Sequence, residues 1–314
     1  MTSTNVTSTK NNVIINDVGP RDGLQNQAKI LSPDERLQIV QALRDANVTY
    51  IEVGAFVSPK AVPAMAGTDE LVKRIAAQPD HDGCYSALIP NLRGYQLAVE
   101  AGAKTVAMVL YASETMAQKN VKMSREEAQD VTEVILQQAE KDGIEVIATI
   151  ATAFECPFDG PTDPDVVHAI TGKFLNLGVS QIVIADTIGS ANPAQVARLM
   201  QRLVGDYGAE KLACHFHDTR ALGMANVYAA AEAGIRRFDA SIAGLGGCPF
   251  APGASGNIAT EDAVMMLHSM GYETGIDLSK LLLASDLAEQ LTGTAPGGRS
   301  KKWLKHYLEK QRQI

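Results

Sequence analysis

The chain has 314 residues, of which 46% are hydrophobic and 20% are charged, so it can bury a large core in one barrel-sized domain or in two ordinary domains. The formal net charge of -8 and an isoelectric point near 5.3 oppose a nucleic-acid-binding surface. No apolar run approaches the roughly 20 residues that cross a bilayer. We therefore expect neither a nucleic acid nor a membrane as a partner.

Residues 1–12 are rich in Ser, Thr and Asn and contain neither an apolar stretch nor arginines. This composition does not fit a secretory or mitochondrial address, and it predicts a disordered tail. The four cysteines are widely separated and form no Cys-x-x-Cys pair, which predicts neither a disulfide framework nor a zinc knuckle. A reducing cytoplasm is the expected location.

Short β-branched segments alternate with longer amphipathic segments along the chain. Strands are predicted over residues 13–18, 50–53, 83–88, 105–110, 145–150, 181–185, 211–215 and 237–241. Helices are predicted over residues 33–46, 69–77, 92–101, 125–141, 164–177, 193–204, 222–233 and 260–270. Ser32 and Ser124, each followed by acidic residues, are typical helix N-caps. Glycines such as Gly143 and Gly178 indicate helix ends.

Eight strand–helix units in a chain of this length predict a (β/α)8 TIM barrel over residues 13–275. Residues 276–314 are then a helical extension of short C-terminal helices packed on the barrel. An open doubly wound sheet is the alternative, but the glycine fingerprint of a dinucleotide fold is missing after the first strand. In a barrel, the catalytic residues lie where the strands end and the βα loops begin.

A histidine pair ends the seventh predicted strand. His215 and His217 are two positions apart, so both imidazoles project to the same side of the strand. Neutral imidazole is a common ligand for divalent metals, and two of them on one face can bind one ion. The alternative is a buried or surface histidine pair without a ligand.

Oxygen ligands for such an ion are available at other strand ends. Asp22 is a candidate, although the aspartate of an Asp-Gly dipeptide taken alone more often caps a turn. Asn257 either supplies an amide oxygen or caps the helix that follows it. Two nitrogens and two oxygens with open positions suit octahedral Mg²⁺ or Mn²⁺ better than zinc.

Two further side chains are candidates for chemistry. Arg21 can stabilise an oxyanion that develops during a reaction, or it can form a structural ion pair with Glu52 or Asp186. Cys248 lies in a glycine-dense segment, where a thiol could exchange a proton with a substrate. An inert core cysteine is the alternative. The segment lacks the Lys-Ser/Thr ending of a P-loop, which disfavours phosphate binding.

Seven motifs, in order from about residue 13 to residue 286, resemble those of the 3-hydroxy-3-methylglutaryl-CoA lyases. They are Val-Gly-Pro-Arg-Asp-Gly-Leu-Gln-Asn at 18–26, Phe-Val-Ser-Pro-Lys at 56–60, Pro-Asn-Leu-Arg-Gly at 90–94, Cys-Pro at 156–157, Asp-Thr-Ile-Gly at 186–189, His-Phe-His-Asp-Thr at 215–219 and the glycine-rich segment at 244–257. The lyases are related to the isopropylmalate and homocitrate synthases.

The resemblance implies a metal-dependent retro-Claisen cleavage, in the parent reaction of 3-hydroxy-3-methylglutaryl-CoA to acetyl-CoA and acetoacetate, a step of leucine degradation. It makes Asp22, His215, His217 and Asn257 the ligands of Mg²⁺ or Mn²⁺. Arg21 would stabilise the enolate oxygen. The resemblance further implies the following roles: proton transfer for Cys248, acid/base or orienting function for Glu52, and substrate contact for Arg21, Gln25, Asp186 and Thr187. His215, Asp22 or a bound water would be the base. A homo-oligomer, dimer or tetramer, is expected.

The chain also departs from the family pattern. Gln27 and Ala28 replace the usual glutamate and lysine, Ala61 replaces the usual tryptophan, and residues 220–224 read Arg-Ala-Leu-Gly-Met where the lyases commonly carry a tyrosine and then Gly-Gln. None of these changes removes a predicted ligand or Arg21. Citramalyl-CoA or a longer branched glutaryl-CoA therefore remains an alternative substrate. A condensing synthase is a further alternative, weakened because the chain ends soon after the eighth unit.

Overall fold

The computed structural model describes residues 11–78, 83–247, 256–294 and 298–311. The barrel strands are β1 (Ile14–Asp17), β2 (Tyr50–Ala55), β3 (Cys84–Leu88), β4 (Thr105–Tyr111), β5 (Glu145–Ala151), β8 (Gln181–Asp186), β9 (Leu212–Phe216) and β10 (Arg237–Ala240). All pair in parallel and close in the order β1-β10-β9-β8-β5-β4-β3-β2. The predicted (β/α)8 barrel is confirmed.

The helices cover the outside of the barrel. They are α1 (Pro33–Asp45), α2 (Thr68–Ala76), α3 (Leu92–Glu100), α4 (Glu114–Val121), α5 (Arg125–Asp142), α6 (Pro164–Asn176), α7 (Pro193–Tyr207), α8 (Gly223–Glu232), α9 (Thr260–Ser269), α10 (Leu278–Thr292) and α11 (Lys301–Gln311). Ser32 and Ser124 form capping boxes with Glu35 and Glu127, as the sequence predicts. None of the helices in the described part of the chain is long and apolar enough to span a membrane.

Successive side chains of a barrel strand point alternately to the core under the helices and to the barrel interior, where the site lies. Val106 and Leu110 of β4 are fully buried in the core under α5, whereas Ala107 and Val109 border the barrel interior. The interior positions near the carboxyl ends of several strands carry polar side chains instead. The main apolar core therefore lies between the strands and the surrounding helices, and the polar site lies at one end of the barrel interior.

Three features differ from the sequence prediction. β2 does not end at Val53 but continues to Ala55, with a register shift between Glu52 and Gly54. Helix α4 was not predicted, nor was the hairpin of β6 (Glu155–Cys156) and β7 (Gly160–Pro161) after β5. Of the predicted tail, residues 1–10 lie outside the described residues.

A buried glutamate joins the end of the barrel to the C-terminal helices. Glu261, at the start of α9, accepts hydrogen bonds from the Ala243 backbone N–H (3.1 Å), the Ser285 hydroxyl (2.7 Å) and the Gly298 backbone N–H (2.8 Å). Ala243 precedes the glycine-rich segment, Ser285 lies on α10, and Gly298 precedes α11. One carboxylate therefore connects three segments that are distant in sequence.

Replacing Glu261 with alanine should destabilise the fold. The change removes the acceptor for buried donors, and we expect the free energy of unfolding to fall by about 3 kcal/mol. Urea denaturation of Glu261→Ala and of the control Glu70→Ala, which removes an exposed partner of Arg74, measures the difference. A loss for Glu261→Ala no larger than that of the control would contradict the role of Glu261.

Candidate metal centre and active site

A cavity of about 550 Å³ opens at the carboxyl ends of the barrel strands. Its wall near β1, β9 and β10 is charged, with Arg21, Asp22, His215 and Asp239 among the lining residues. The opposite wall, from β3 to β8, is largely apolar and contains small side chains such as those of Ala107, Ala151 and Ala185. The cavity thus combines a polar reaction surface with room for an apolar substituent.

Arg21 and Asp22 lie in a single π-helical turn, Gly19–Gly23, directly after β1. A Cβ atom at Gly19 would lie 2.7 Å from Asp17 Oδ1 and 2.8 Å from the Ile242 side chain, and one at Gly23 would lie 2.6 Å from Ser241 Oγ. Only glycine therefore allows the turn to pack this closely on the end of β10. Functional sites commonly contain π turns, and this one aims two successive charged side chains into the cavity.

The two histidines face each other at the end of β9. Their Nε2 atoms are 3.1 Å apart, and His215 and His217 are both more than nine-tenths buried. Ligand atoms of Asp22, His215 and His217 all lie within 4.8 Å of one another. The structure thus brings together three of the four residues predicted as metal ligands.

The fourth predicted ligand, Asn257, lies beside this group. It forms a β-bridge with His217, and its Nδ2 donates to Asp22 Oδ2 at 2.8 Å and to the Leu245 carbonyl at 3.1 Å. Its Oδ1 is buried and has no hydrogen-bond partner among the described residues. The alternative that Asn257 caps the following helix is wrong, because α9 begins at Thr260 and Ala259 is the N-cap residue.

The donor set fits a divalent cation. A buried amide oxygen without a hydrogen-bond partner is costly unless a ligand takes it, and Asn257 contacts Asp22 through Nδ2 and pairs with His217 through its backbone. The charge balance agrees, since the single cation of Arg21 lies among three carboxyl groups, those of Asp22, Glu52 and Asp239. Mixed nitrogen and oxygen donors suit Mg²⁺ or Mn²⁺, the ions expected from the sequence.

Arg21 is held by carboxylates on two sides. Its Nε donates to Glu52 Oε2 and its Nη1 to Asp22 Oδ1, both at 2.6 Å. Burial opposes the charged guanidinium, but Glu52 and Asp22 outweigh this effect and raise the pKa of Arg21. The ion pair with Glu52 considered from the sequence therefore exists, and the one with Asp186 does not. A permanent cation is thus fixed at the cavity wall.

The surrounding charges set the protonation of the predicted ligands. Burial alone would raise the pKa of Asp22, but Arg21 and the two histidines lower it to about 2. Burial and the neighbouring His215 lower the pKa of His217 to about 4. Asp22 and His217 are therefore deprotonated near neutral pH, as metal ligands must be.

Of the other predicted site residues, some line the cavity and one does not. Gln25 and Thr187 line the cavity, as substrate contact requires. Asp186 does not line it, because its carboxylate accepts from the backbone N–H groups of Ser190 (2.8 Å) and Ala191 (3.1 Å) and shapes the loop after β8. Its predicted substrate contact is not supported by this placement. Cys248 lies outside the described residues.

Asp239 is a polar residue of this site that the sequence did not single out. Asp239, on β10, contacts His215 through a 3.1 Å hydrogen bond. The signal was present, since Asp239 is a carboxylate at an inward position of a short predicted strand. Sequence alone does not show which side chain it meets.

Removing one imidazole should weaken metal binding. We expect His217→Ala to lower the affinity for Mn²⁺ by at least about 100-fold, because a direct ligand contributes no less than an outer-shell residue. Titration of metal-free protein with Mn²⁺, followed by electron paramagnetic resonance, measures the affinity. In the control His268→Ala, which loses a surface contact with Thr274, the affinity should be that of the wild type. Equal affinities in both variants would contradict the assignment of His217.

The sequence of the chain is similar to those of one family of known proteins. The HMGL-like family model matches residues 12–288. The chain is 40% identical over 285 residues to the hydroxymethylglutaryl-CoA lyase of Pseudomonas mevalonii, covering 90% of this chain and 94% of that protein. It is 42% identical over 282 residues to the (R)-citramalyl-CoA lyase of Chloroflexus aurantiacus, covering 87% of this chain and 89% of that protein.

Solved structures agree with this result. The structure of an HMG-CoA lyase from Acinetobacter baumannii in complex with coenzyme A and 3-methylmalate superposes with a TM-score of 0.89 at 39% identity. The alignment covers 95% of this chain and 96% of that chain. The similarity therefore extends over almost the whole barrel.

Proposed function

The chain belongs to the HMGL-like family of carbon–carbon lyases, and we propose that it cleaves a 3-hydroxyacyl-CoA by a retro-Claisen reaction. The first candidate substrate is 3-hydroxy-3-methylglutaryl-CoA, which would give acetyl-CoA and acetoacetate, as in leucine degradation. The observation that carries the proposal is the group of Asp22, His215 and His217 beside the fixed cation of Arg21. An oligomeric, cytoplasmic enzyme is part of the same proposal.

We assign Asp22, His215, His217 and Asn257 to a bound Mg²⁺ or Mn²⁺. When bound, the cation supplies Lewis-acid polarisation of the substrate's hydroxyl and carboxylate oxygens. The protein's own part is to hold two neutral imidazole nitrogens, a carboxylate and an amide oxygen at one end of the barrel. Asp22 and a water molecule are the candidates for the base that takes the hydroxyl proton. His215 is disfavoured as the base, because one of its ring nitrogens would bind the cation and the other contacts Asp239.

Arg21 has the role of stabilising negative charge as the C2–C3 bond breaks. The acetyl-CoA fragment leaves as an enolate, and a guanidinium already fixed by two carboxylates needs no reorganisation to stabilise its oxygen. Glu52 uses Oε2 to hold Arg21 Nε, which favours its orienting role over acid/base chemistry. Burial raises the pKa of Glu52, while Arg21 opposes that effect.

Substituting Arg21 should remove most of the turnover without loss of metal. We expect Arg21→Gln to lower kcat by about three orders of magnitude, since the enolate loses its principal charged donor. The Mn²⁺ affinity should not fall, because Arg21 repels rather than binds a cation. Stopped assays of acetyl-CoA release, with Mn²⁺ affinity measured in parallel, provide both values. Near-normal turnover in this variant would exclude Arg21 from the mechanism.

The identity of the acyl group is the finer part of the proposal. Ala61 lines the cavity, where the lyases usually carry a tryptophan. A citramalyl-CoA lyase is a second candidate function, favoured by the 42% identity to the Chloroflexus enzyme. A longer branched glutaryl-CoA is a third, favoured by the small side chains of the apolar wall.

A comparison of substrates tests the proposal directly. Purified protein with Mg²⁺ or Mn²⁺ is offered 3-hydroxy-3-methylglutaryl-CoA and citramalyl-CoA in parallel, and released acetyl-CoA is measured. We expect cleavage of the first compound, and a chelator should abolish it. Preference for citramalyl-CoA would favour the second candidate. Failure to cleave these compounds and longer branched glutaryl-CoAs would contradict the lyase proposal.

Restoring the bulky residue should narrow the acyl specificity. We expect Ala61→Trp to lower kcat/KM for glutaryl-CoAs with a long branched C3 substituent by about 10-fold relative to 3-hydroxy-3-methylglutaryl-CoA. The matched control is Ala61→Ser, which changes the same position with little added volume. An unchanged ratio in Ala61→Trp would show that this position does not border the acyl group.

A further inference from the structure

Three polar residues lie in one row across adjacent strands of the barrel. Asn16 of β1 is opposite Asp239 of β10, and Asp239 is opposite His215 of β9 in the strand register. Asn16 Nδ2 donates to Asp239 Oδ1 at 2.9 Å, and His215 Nδ1 lies 3.1 Å from Asp239 Oδ2. The pairing of the backbone thus aligns a chain of two side-chain hydrogen bonds.

Each oxygen of Asp239 has its own partner. Asp239 is more than nine-tenths buried, and a buried carboxylate requires such partners. Because Oδ1 accepts from Asn16, Oδ2 is directed at His215. With Asp239 Oδ2 as the acceptor of this contact, His215 Nδ1 is the donor and carries the hydrogen. In the neutral ring the other nitrogen, Nε2, then keeps its lone pair.

This nitrogen is the one that faces the predicted metal ligands. His215 Nε2 lies 3.1 Å from His217 Nε2, within the group that includes Asp22. We propose that Asp239 is a positioning residue that fixes the tautomer and ring orientation of His215 for metal binding, and that Asn16 fixes Asp239 in turn. The inference rests on the metal dependence in the proposed function. Carboxylate partners of this kind orient histidine ligands in other metal sites.

The two histidines differ in this respect. His217 Nδ1 is buried and has no hydrogen-bond partner in the described parts of the chain, so no comparable carboxylate orients that ring. Asn16 and Asp239 also line a second cavity of about 260 Å³ deeper in the barrel. The row of Asn16, Asp239 and His215 therefore lies between this cavity and the active site. Asp239 contacts His215 from the side of the second cavity.

The test measures metal binding without substrate. Asp239→Asn keeps the volume of the side chain, but its amide can donate to His215 Nδ1 and so favour the tautomer with hydrogen on Nε2. We expect the Mn²⁺ affinity of the full chain to fall by roughly 10- to 100-fold. In metal-free protein, the ¹⁵N NMR signals of His215 should shift from the Nδ1–H towards the Nε2–H tautomer.

The matched control is the same change at another histidine–carboxylate pair. His168 Nε2 lies 2.7 Å from Asp206 Oδ2 on the outside of the barrel, and Asp206→Asn should leave Mn²⁺ affinity unchanged. Folded Asp239→Asn with wild-type Mn²⁺ affinity would overturn the inference, even if its thermal stability is reduced. If Asp239→Asn does not fold, Asn16→Ala decides, with reduced affinity expected and wild-type affinity overturning the proposal.

The same measurements separate this inference from the proposed function. Wild-type protein that binds Mn²⁺ but cleaves no acyl-CoA would contradict the lyase proposal, while loss of affinity in Asp239→Asn would still support the role of Asp239. Acyl-CoA cleavage by the wild type together with undiminished affinity in the variant would overturn only the role of Asp239.

Discussion

The geometry of the site depends on the pairing of β1 with β10, which closes the barrel. The pairing runs from Ile14 opposite Arg237 to Asp17 opposite Ala240, and the Val18 N–H continues it to the Ala240 carbonyl. This register fixes where the π turn begins along the barrel axis. Asp22 is thereby placed next to the histidines at the end of β9. Asp22 and Asn257, 235 positions apart in sequence, can then share a hydrogen bond. Barrel closure thus brings the first and last parts of the site together.

Closure also concentrates charges where burial makes them costly. Arg21 lies between the carboxylates of Glu52 and Asp22, at the edge of a group with two buried histidines. Replacing buried ion pairs with apolar residues is often neutral or stabilising, so stability alone does not account for this cluster. The proposed catalytic role of Arg21 accounts for it, because a charge fixed in advance stabilises a developing anion without reorganisation. The proposed metal site likewise accounts for Asn257 Oδ1, which has no hydrogen-bond partner within the described residues.

The sequence predicts the barrel well because its signals are local. All eight barrel strands and the helices after them occur within a few residues of the predicted bounds, since periodicity and caps act over one or two turns. The rule that chemistry lies at strand ends brings Arg21, Asp22 and the histidines together. It does not give side-chain direction: Asp186 turns to the loop amides, and Asp239 meets His215 only through strand register. Sequence spacing also could not decide whether Asn257 is a metal ligand or the N-cap of the helix that follows it.

Two residues that depart from the family pattern, Gln27 and Ala61, have different surroundings. Gln27 donates to the Gly23 carbonyl at 2.8 Å and accepts from Thr294 at 3.0 Å, so it ties the π turn to the segment after α10. Ala61 instead borders the cavity from the loop after β2. The charged wall of the cavity lies near β1, β9 and β10, whereas the largely apolar wall comes from β3 to β8 and, in the proposed function, faces the acyl group. Because different elements form the two surfaces, the acyl group accepted can change while Arg21 and the metal ligands stay in place.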